Sequence, residues 1–280
     1  MMSTNPRFLV LGATAKTGRR VAEKLISLGH DVRAVSRSTT PAFDWTDRKT
    51  WDDVLRDRDA VYVTFQPDLA VPGSDEIIAS FAKLALMHGV KRIVMLSGRG
   101  EEAAHQAEHA LHLSGADATV LRANWFFQNF NEDLFLPYIQ QGTLALPAGN
   151  TPEPFVDADD IAECAVACLL DDRHIGKTYE LSGPNAVTFA EVTKIISDVT
   201  NHPVNFVPIT LDELDHGLAA DGMPDEVRGL IRYLFSEVLD GRNSQPTNDV
   251  HEILGRQPNS LRCFAEEVAR TGVWDIAKRA

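Results

Sequence analysis

The stretch Arg7-Phe-Leu-Val-Leu-Gly12-Ala-Thr-Ala-Lys-Thr-Gly18-Arg-Arg-Val-Ala-Glu-Lys-Leu-Ile-Ser-Leu-Gly29 decides how the rest of the chain is read. Phe8 to Leu11 is a short apolar run of the kind a strand buried on both faces shows. A tight turn follows, with Gly12, Ala15 and Gly18 three residues apart. Val21, Leu25 and Leu28 then recur at helical spacing, and Gly29 supplies the stop. Strand, glycine turn and helix start together form a phosphate site: the backbone approaches an anion closely and the first helical N–H groups receive it. In that context the turn predicts a dinucleotide, with Gly12, Thr14, Ala15, Lys16, Thr17 and Gly18 at its pyrophosphate.

The next strand, Asp31 to Arg37, ends where such folds meet the adenosine ribose. An acid there would accept bonds from both ribose hydroxyls and repel a 2′-phosphate. This chain has Ser36 and Arg37, with no acid before Asp44. Arg37 suits a 2′-phosphate, Lys16 adds a second positive charge, and Asp44 is expected beside the adenine. NADP(H) is therefore favoured over NAD(H). Ala42–Trp45 reads as a short third strand, Thr50–Arg58 as a helix and Ala60–Phe65 as the fourth strand. Thr64, Phe65 and Gln66 end that strand at the ligand-facing edge. Ser74–His88 is an amphipathic helix, Arg92–Ser97 a fifth strand, Glu101–Leu113 a helix and Asp117–Arg122 a sixth strand. Alternation of this kind predicts an α/β fold, a Rossmann-type doubly wound parallel sheet. Ser97 joins Thr64–Gln66 as lining for the ribose-nicotinamide half.

Bulk properties narrow the function. The 280 residues suffice for such a sheet with a smaller second domain. Twenty-seven basic against forty acidic residues give a charge of −13, which argues against nucleic acid and anionic membrane surfaces as partners. Cys164 and Cys168 fall on the apolar face of a helical pattern and read as core thiols; no metal site is predicted. The first residues lack the charged-then-apolar build of a secretion signal, and no stretch is long and apolar enough to span a bilayer. A cytoplasmic, reduced location is the expectation.

Gly12-Ala-Thr-Ala-Lys-Thr-Gly18, Val90-Lys-Arg-Ile-Val-Met-Leu-Ser97, Ala107 to Gly115 and Leu121 to Asn129 occur in that order, followed by Phe155 to Ala162 and Thr178 to Pro184. Together they resemble the NmrA-like group of atypical short-chain dehydrogenases/reductases over roughly the first two hundred residues. The resemblance implies an NAD(P)-binding Rossmann domain (1–128 plus about 155–183). It also implies a smaller, mixed C-terminal domain (about 129–154 plus 184–280) over a substrate cleft. Members include NADPH-dependent quinone oxidoreductases as well as non-catalytic redox sensors.

Two departures stand out. The family's turn has glycine where this chain has Ala15. More important, the wider superfamily places a Tyr and a Lys four apart on the helix after the fifth strand, and Ser97 to Ser114 contains neither. The lysine's place falls about at Ala104, beside His105. His105, His109 and His112 share overlapping helix faces. His105 is a candidate proton source or cofactor contact, the alternative being an ordinary surface histidine. Hydride transfer to a quinone needs less machinery than carbonyl reduction: a nicotinamide against the acceptor in a dry site. Trp125 and Phe126 are candidates for an apolar wall beside a flat ring, with core packing as the alternative, and Asn124 or Gln128 for bonding a carbonyl. Asp157, Asp159 and Asp160 precede a helix and suit its positive end.

The expected activity is NAD(P)H-dependent reduction of a quinone or other small electrophile. The alternative is an NADP(H)-sensing regulator acting through a protein partner. A homodimer is compatible with either.

Overall fold

The computed structural model describes residues 6–275. In chain order it runs β1 (Arg7–Leu11), α1 (Lys16–Ser27), β2 (Asp31–Val35), α2 (Trp51–Leu55), β3 (Ala60–Val63), α3 (Ser74–Met87), β4 (Arg92–Gly98), α4 (His105–Leu113) and β5 (Asp117–Ala123). It continues with α5 (Leu136–Gln140), β6 (Thr143–Leu146), α6 (Ala158–Leu170), β7 (Thr178–Leu181), α7 (Phe189–Thr200) and β8 (Asn205–Pro208). Four helices close it: α8 (Leu211–Ala220), α9 (Asp225–Tyr233), α10 (Asp249–Leu254) and α11 (Leu261–Arg270).

The chain divides into two compact units. The first comprises the residues up to Ala123 with Ala158–Leu181 and Asn248–Gln257; the second comprises Asn124–Asp157, Ser182–Thr247 and the described residues from Pro258. In the first unit six strands form one sheet in the order β2-β1-β3-β4-β5-β7. Every pair in it is parallel. Parallel strands need crossovers, and helices on the sheet faces bury the strands, so the continuous apolar runs of β1 and β3 are fully buried. This is the Rossmann-type sheet the sequence predicts. The direction of winding reverses between β1 and β3, and ligands bind such sheets at that switch, beyond the carboxyl ends of the strands.

α6 packs along α1, where Arg20 Nε lies 3.1 Å from Asp159 Oδ2 and Lys24 Nζ 3.0 Å from Glu163 Oε1. The acids at the start of α6 thus pair with neighbouring segments: Asp160, fully buried, lies 2.7 Å from the guanidinium of Arg256, just beyond α10. Cys164 and Cys168 are buried in the same helix, and burial pushes the Cys168 thiol up to about 12. Asn248–Gln257 joins this unit through α10, whose Asp249 carboxylate accepts from the Glu180 N–H of β7 at 2.6 Å. The sequence pattern signals neither that helix nor its placement.

Ala42–Trp45 is a loop and not the expected third strand. The alternation that suggests a strand is real, since Phe43 and Trp45 are both buried. The backbone groups, however, find partners other than a ladder. Phe43 N–H donates to the Ser36 carbonyl (2.9 Å), Asp44 N–H to Thr50 Oγ1 (3.0 Å), and the Asp44 carbonyl accepts from the Trp51 indole (2.8 Å). Phe43, Trp45, Trp51 and Phe81 form an aromatic cluster with ring centroids 4.8–6.4 Å apart. The expected helix over Thr50–Arg58 is shorter, a 3₁₀ turn at Arg48–Thr50 leading into α2. Arg33 Nη1 takes the carbonyls of Asp53, Val54 and Arg56, and Asp57 turns left-handed at φ +59°.

The second unit has its own core of Phe127, Phe130, Phe135, Phe155 and Phe189 with aliphatic side chains of α7 and α11. β6 and β8 pair in parallel beside it. Capping boxes start α7 (Thr188 with Glu191) and α8 (Thr210 with Glu213).

Because Trp51 joins the aromatic cluster to the Asp44 loop, Trp51→Ala is expected to cost about 3–5 kcal/mol in denaturant unfolding. A loss below about 1 kcal/mol would mean that the cluster does not hold the loop.

Candidate functional site

At the switch point two glycines are held by contacts that leave no room for a side chain. Gly12 has φ +81°, and a Cβ on it would lie 2.3 Å from Thr64 Oγ1. That hydroxyl donates to the Leu11 carbonyl at 3.2 Å, which ties the end of β1 to the end of β3. A Cβ on Gly18 would lie 2.1 Å from the Gly12 carbonyl oxygen, so α1 sits directly against the turn. Ala15, the N-cap of α1, supplies no side-chain cap, and the first turn of the helix carries no acid. A helix start built this way favours an anion.

Over this turn lies a cavity of about 610 Å³. Gly12 and Thr14 form one wall, Ser36, Arg37 and Ser38 a second, Phe43 to Thr46 a third, and Thr64, Gln66 and Pro67 the last. The structure thus gathers Gly12, Thr14, Arg37, Asp44, Thr64 and Gln66 in one place. Phe65 instead packs against Trp45, the rings tilted by 37° with centroids 4.9 Å apart. The Asp44 carboxylate accepts from the N–H and the hydroxyl of Thr46, both at 2.8 Å. Those bonds, with the nearby Arg37 charge, hold its carboxyl below the usual range. Ser38, Phe43, Trp45 and Pro67 were not singled out from the sequence. Reading Ala42–Trp45 as a strand conceals Phe43 and Trp45; two aromatics two residues apart after a serine-rich strand end are the available signal.

Ser97 is buried and does not line this cavity. Its hydroxyl donates to Glu108 Oε1 at 2.6 Å, and Glu108 also receives Arg122 through Nε at 3.0 Å and Nη2 at 2.5 Å. His105 opens α4, half-buried. His112 Nε2 lies 3.3 Å from Thr178 Oγ1, and burial lowers the pKa of its ring.

The side chain of Glu101, three residues beyond β4, folds back over Gly98. It is only 8% exposed. Burial, then the charge of Asp68 and a bond to it, then Glu108, push its carboxyl up to about 9. Glu101 is therefore a neutral acid at pH 7.

The remaining candidates belong to the second unit. The Asn124 amide donates to Glu153 Oε1 at 2.7 Å and that of Gln128 to Asp157 Oδ1 at 2.8 Å, all four residues being buried. Trp125 is half-buried against Phe135 and Phe235. Phe126 bridges to Val156 through the backbone. This unit also encloses an apolar cavity of about 350 Å³, with Phe135, Tyr138, Leu146, Leu214, Leu218 and Phe235 among its walls. Among the described residues, no helix is long and apolar enough to cross a membrane.

Comparison with known proteins shows the family. A family described as NAD(P)H-binding matches residues 12–172, and the NmrA-like family matches residues 101–261. An uncharacterized oxidoreductase of Bacillus subtilis is 31% identical over 98% of both chains. The chain belongs to the NmrA-like family of NAD(P)H-binding oxidoreductases. The fold of this NmrA-like protein also matches an NADPH-dependent quinone oxidoreductase of Escherichia coli solved with NADPH. There the TM-score is 0.79 at 18% identity, covering 93% of this chain and 99% of that one. It matches a Citrobacter triphenylmethane reductase complexed with NADP(H) at a TM-score of 0.77 and 19% identity, covering 95% and 99%.

The raised Glu101 carboxyl sets a pH dependence of stability. In the unfolded chain it titrates near the ordinary 4.5, and in the folded protein near 9. Between those values the folded state holds a proton that the unfolded state has lost, so stability is full below the lower value and falls as pH rises towards the upper. Urea midpoints of the native protein should decline from pH 5 to pH 9, and Glu101→Gln should flatten that decline. Parallel declines in the two proteins would show that Glu101 titrates normally.

Proposed function

We propose that this protein is an NAD(P)H-dependent reductase that prefers NADP(H) and reduces a quinone or another small, flat electrophile. The reading rests on the cavity at the β1–β3 switch point. Two sterically closed glycine positions, an uncapped helix start without acids and an arginine at the end of β2 fit a dinucleotide with a 2′-phosphate. In this reading Gly12 to Gly18, with Thr14, Ala15, Lys16 and Thr17 between, cradle the pyrophosphate. Arg37 receives the 2′-phosphate, with Ser36 and Ser38 adding hydroxyl donors from the same wall. Asp44, Trp45 and Phe43 bound the adenine end, and Thr64 and Gln66 extend the wall towards the ribose-nicotinamide half. The bound dinucleotide supplies a hydride; the protein contributes position, dryness and protons.

The acceptor reading rests on chemistry and on apolar surface. No Tyr/Lys pair occurs on α4, so an acceptor that takes a hydride readily fits this chain better than an unactivated carbonyl. Trp125 and Phe126 are assigned to an apolar wall, the Trp125 ring lying 5.1 Å from Phe235, itself a wall of the apolar cavity. A flat hydrophobic molecule suits such a lining. The relative solved with NADPH that is named for quinone reduction is consistent with this choice. The amides of Asn124 and Gln128, already engaged by buried carboxylates, are assigned to holding Glu153 and Asp157.

NADPH consumption by the purified protein with a panel of small quinones tests the reading. Saturable turnover is expected. Charge-assisted hydrogen bonds of the kind assigned to Arg37 contribute about 1.5–3 kcal/mol. Arg37→Ala should therefore weaken NADPH binding by about tenfold or more and leave NADH binding unchanged. Tight NADPH binding without turnover on any acceptor would overturn the reductase reading. Equal loss for both cofactors would overturn the role of Arg37.

A further inference from the structure

The second unit's cavity, at about 350 Å³, has the size of a small-molecule site. Leu146 of β6, Leu214 and Leu218 of α8 and Ile231 of α9 are among its apolar walls. Gly217, in the interior of α8, belongs to the same wall. Glycine inside a helix lowers stability relative to alanine, so it needs a reason such as a positive φ or a close contact. Gly217 has neither: its φ is not positive, and an added Cβ would meet nothing within 4 Å. What the missing side chain leaves is room in the cavity.

The charges around that room are unevenly matched. Arg228 Nη1 lies 2.6 Å from Asp215 Oδ1 and its Nη2 lies 2.8 Å from Asp225 Oδ1, while Arg232 Nη1 lies 2.9 Å from Asp212 Oδ1. Those arginines serve acids that do not line the cavity. Two acids do line it, Glu213 and Asp221, and among the described residues neither has a basic partner. Bonds from the Thr210 N–H and then its hydroxyl hold the Glu213 carboxyl below its usual range, so it stays ionised. The Asp221 carboxylate accepts no hydrogen bond among the described residues. Its charge, after burial, raises the pKa of Tyr138 on the facing wall, whose hydroxyl likewise has no hydrogen-bond partner among them. No lysine, arginine or histidine lines the cavity.

We propose that this cavity is a binding site for an apolar organic cation, its body against Leu214, Leu218 and Ile231 and its charge at the exposed carboxylates of Asp221 and Glu213. Apolar walls favour the body, and two acids without basic partners favour the positive charge. The same two acids repel fatty acids and other organic anions. The inference does not depend on the reductase reading, because the ligand binds without a dinucleotide.

The test is calorimetric titration of the full chain, free of cofactor, with three probes: thioflavin T, its uncharged analogue lacking the ring N-methyl group, and anilinonaphthalene sulfonate. The cation should bind tightest and at a single site, the uncharged analogue more weakly and the sulfonate weakest. Asp221→Asn should weaken the cation about threefold or more and leave the uncharged analogue unchanged. Gly217→Leu fills the cavity and favours the helix, so its melting temperature should not fall, yet both the cation and the uncharged analogue should bind about tenfold more weakly or worse. Gly229→Leu, in α9, where a Cβ also meets nothing within 4 Å but does not line this cavity, should change neither. Sulfonate binding as tight as that of the cation, or cation binding unchanged in Asp221→Asn, overturns the cation assignment. Cation binding untouched by Gly217→Leu, or no binding of any probe, overturns the site. Each of these leaves the reductase reading standing, since NADPH consumption tests that separately.

Discussion

The structure depends on how closely the Gly12–Gly18 turn is pressed between α1, β1 and β3. Gly18 has the Gly12 carbonyl where a side chain would be, and Gly12 has the Thr64 hydroxyl. Neither contact survives an added carbon, because the atoms met are a backbone oxygen in one case and a bonded hydroxyl in the other. The consequence extends beyond the turn. Holding α1 this near fixes the face it offers to α6, where Arg20 and Lys24 meet Asp159 and Glu163. It also aims the uncapped first turn of the helix over the sheet edge, where the winding reverses. One steric constraint therefore sets the crossover and the placement of the helix start together.

The Phe43–Thr46 wall of the cavity is set by a different force. Phe43 and Trp45 are drawn inward onto Trp51 and Phe81, and their loop forgoes strand pairing to remain there. The sheet consequently ends at β2. The loop Ser36–Thr46 instead curls over the strand ends and brings Arg37, Ser38 and Asp44 to one rim. A regular edge strand would have carried alternate residues away from that rim. Arg37 and Asp44, opposite in charge, share it with Asp44 already quieted by two bonds from Thr46.

Much of this was legible in the sequence, and the reasons differ by residue. The parallel sheet was readable because Phe8–Leu11 of β1, Ala60–Val63 of β3 and Ile93–Leu96 of β4 are unbroken apolar runs, a pattern that few environments other than a two-sided burial produce. The turn was readable because glycine spacing records backbone crowding directly. Ala42–Trp45 misled because period-two burial marks any extended segment with one buried face, paired or not. β6 and α10 gave no signal, being short elements fixed by distant partners such as β8 and Glu180. Ser97 was placed at the correct strand end, but its partner Glu108 lies a helix away, and nothing local in the sequence reveals that bond.

The same blindness hid Glu101. In the sequence it is one of two adjacent glutamates after a glycine-rich exit, a composition that reads as a solvated loop. Its character comes from its surroundings: nearby Gly98 leaves space for it, and from distant parts of the chain Asp68 faces it with like charge while Arg122 is engaged by Glu108. Had Arg122 paired with Glu101, the carboxyl would be an ordinary ionised one and Glu108 the isolated acid. The buried Ser97 hydroxyl also donates to Glu108, so that carboxylate is engaged by Ser97 and Arg122 together. The neutral state of one carboxyl is thus set by how a neighbouring strand and helix distribute a single guanidinium. That distribution leaves a buried acid with a raised pKa at the end of β4, beside a helix, α4, that carries neither tyrosine nor lysine.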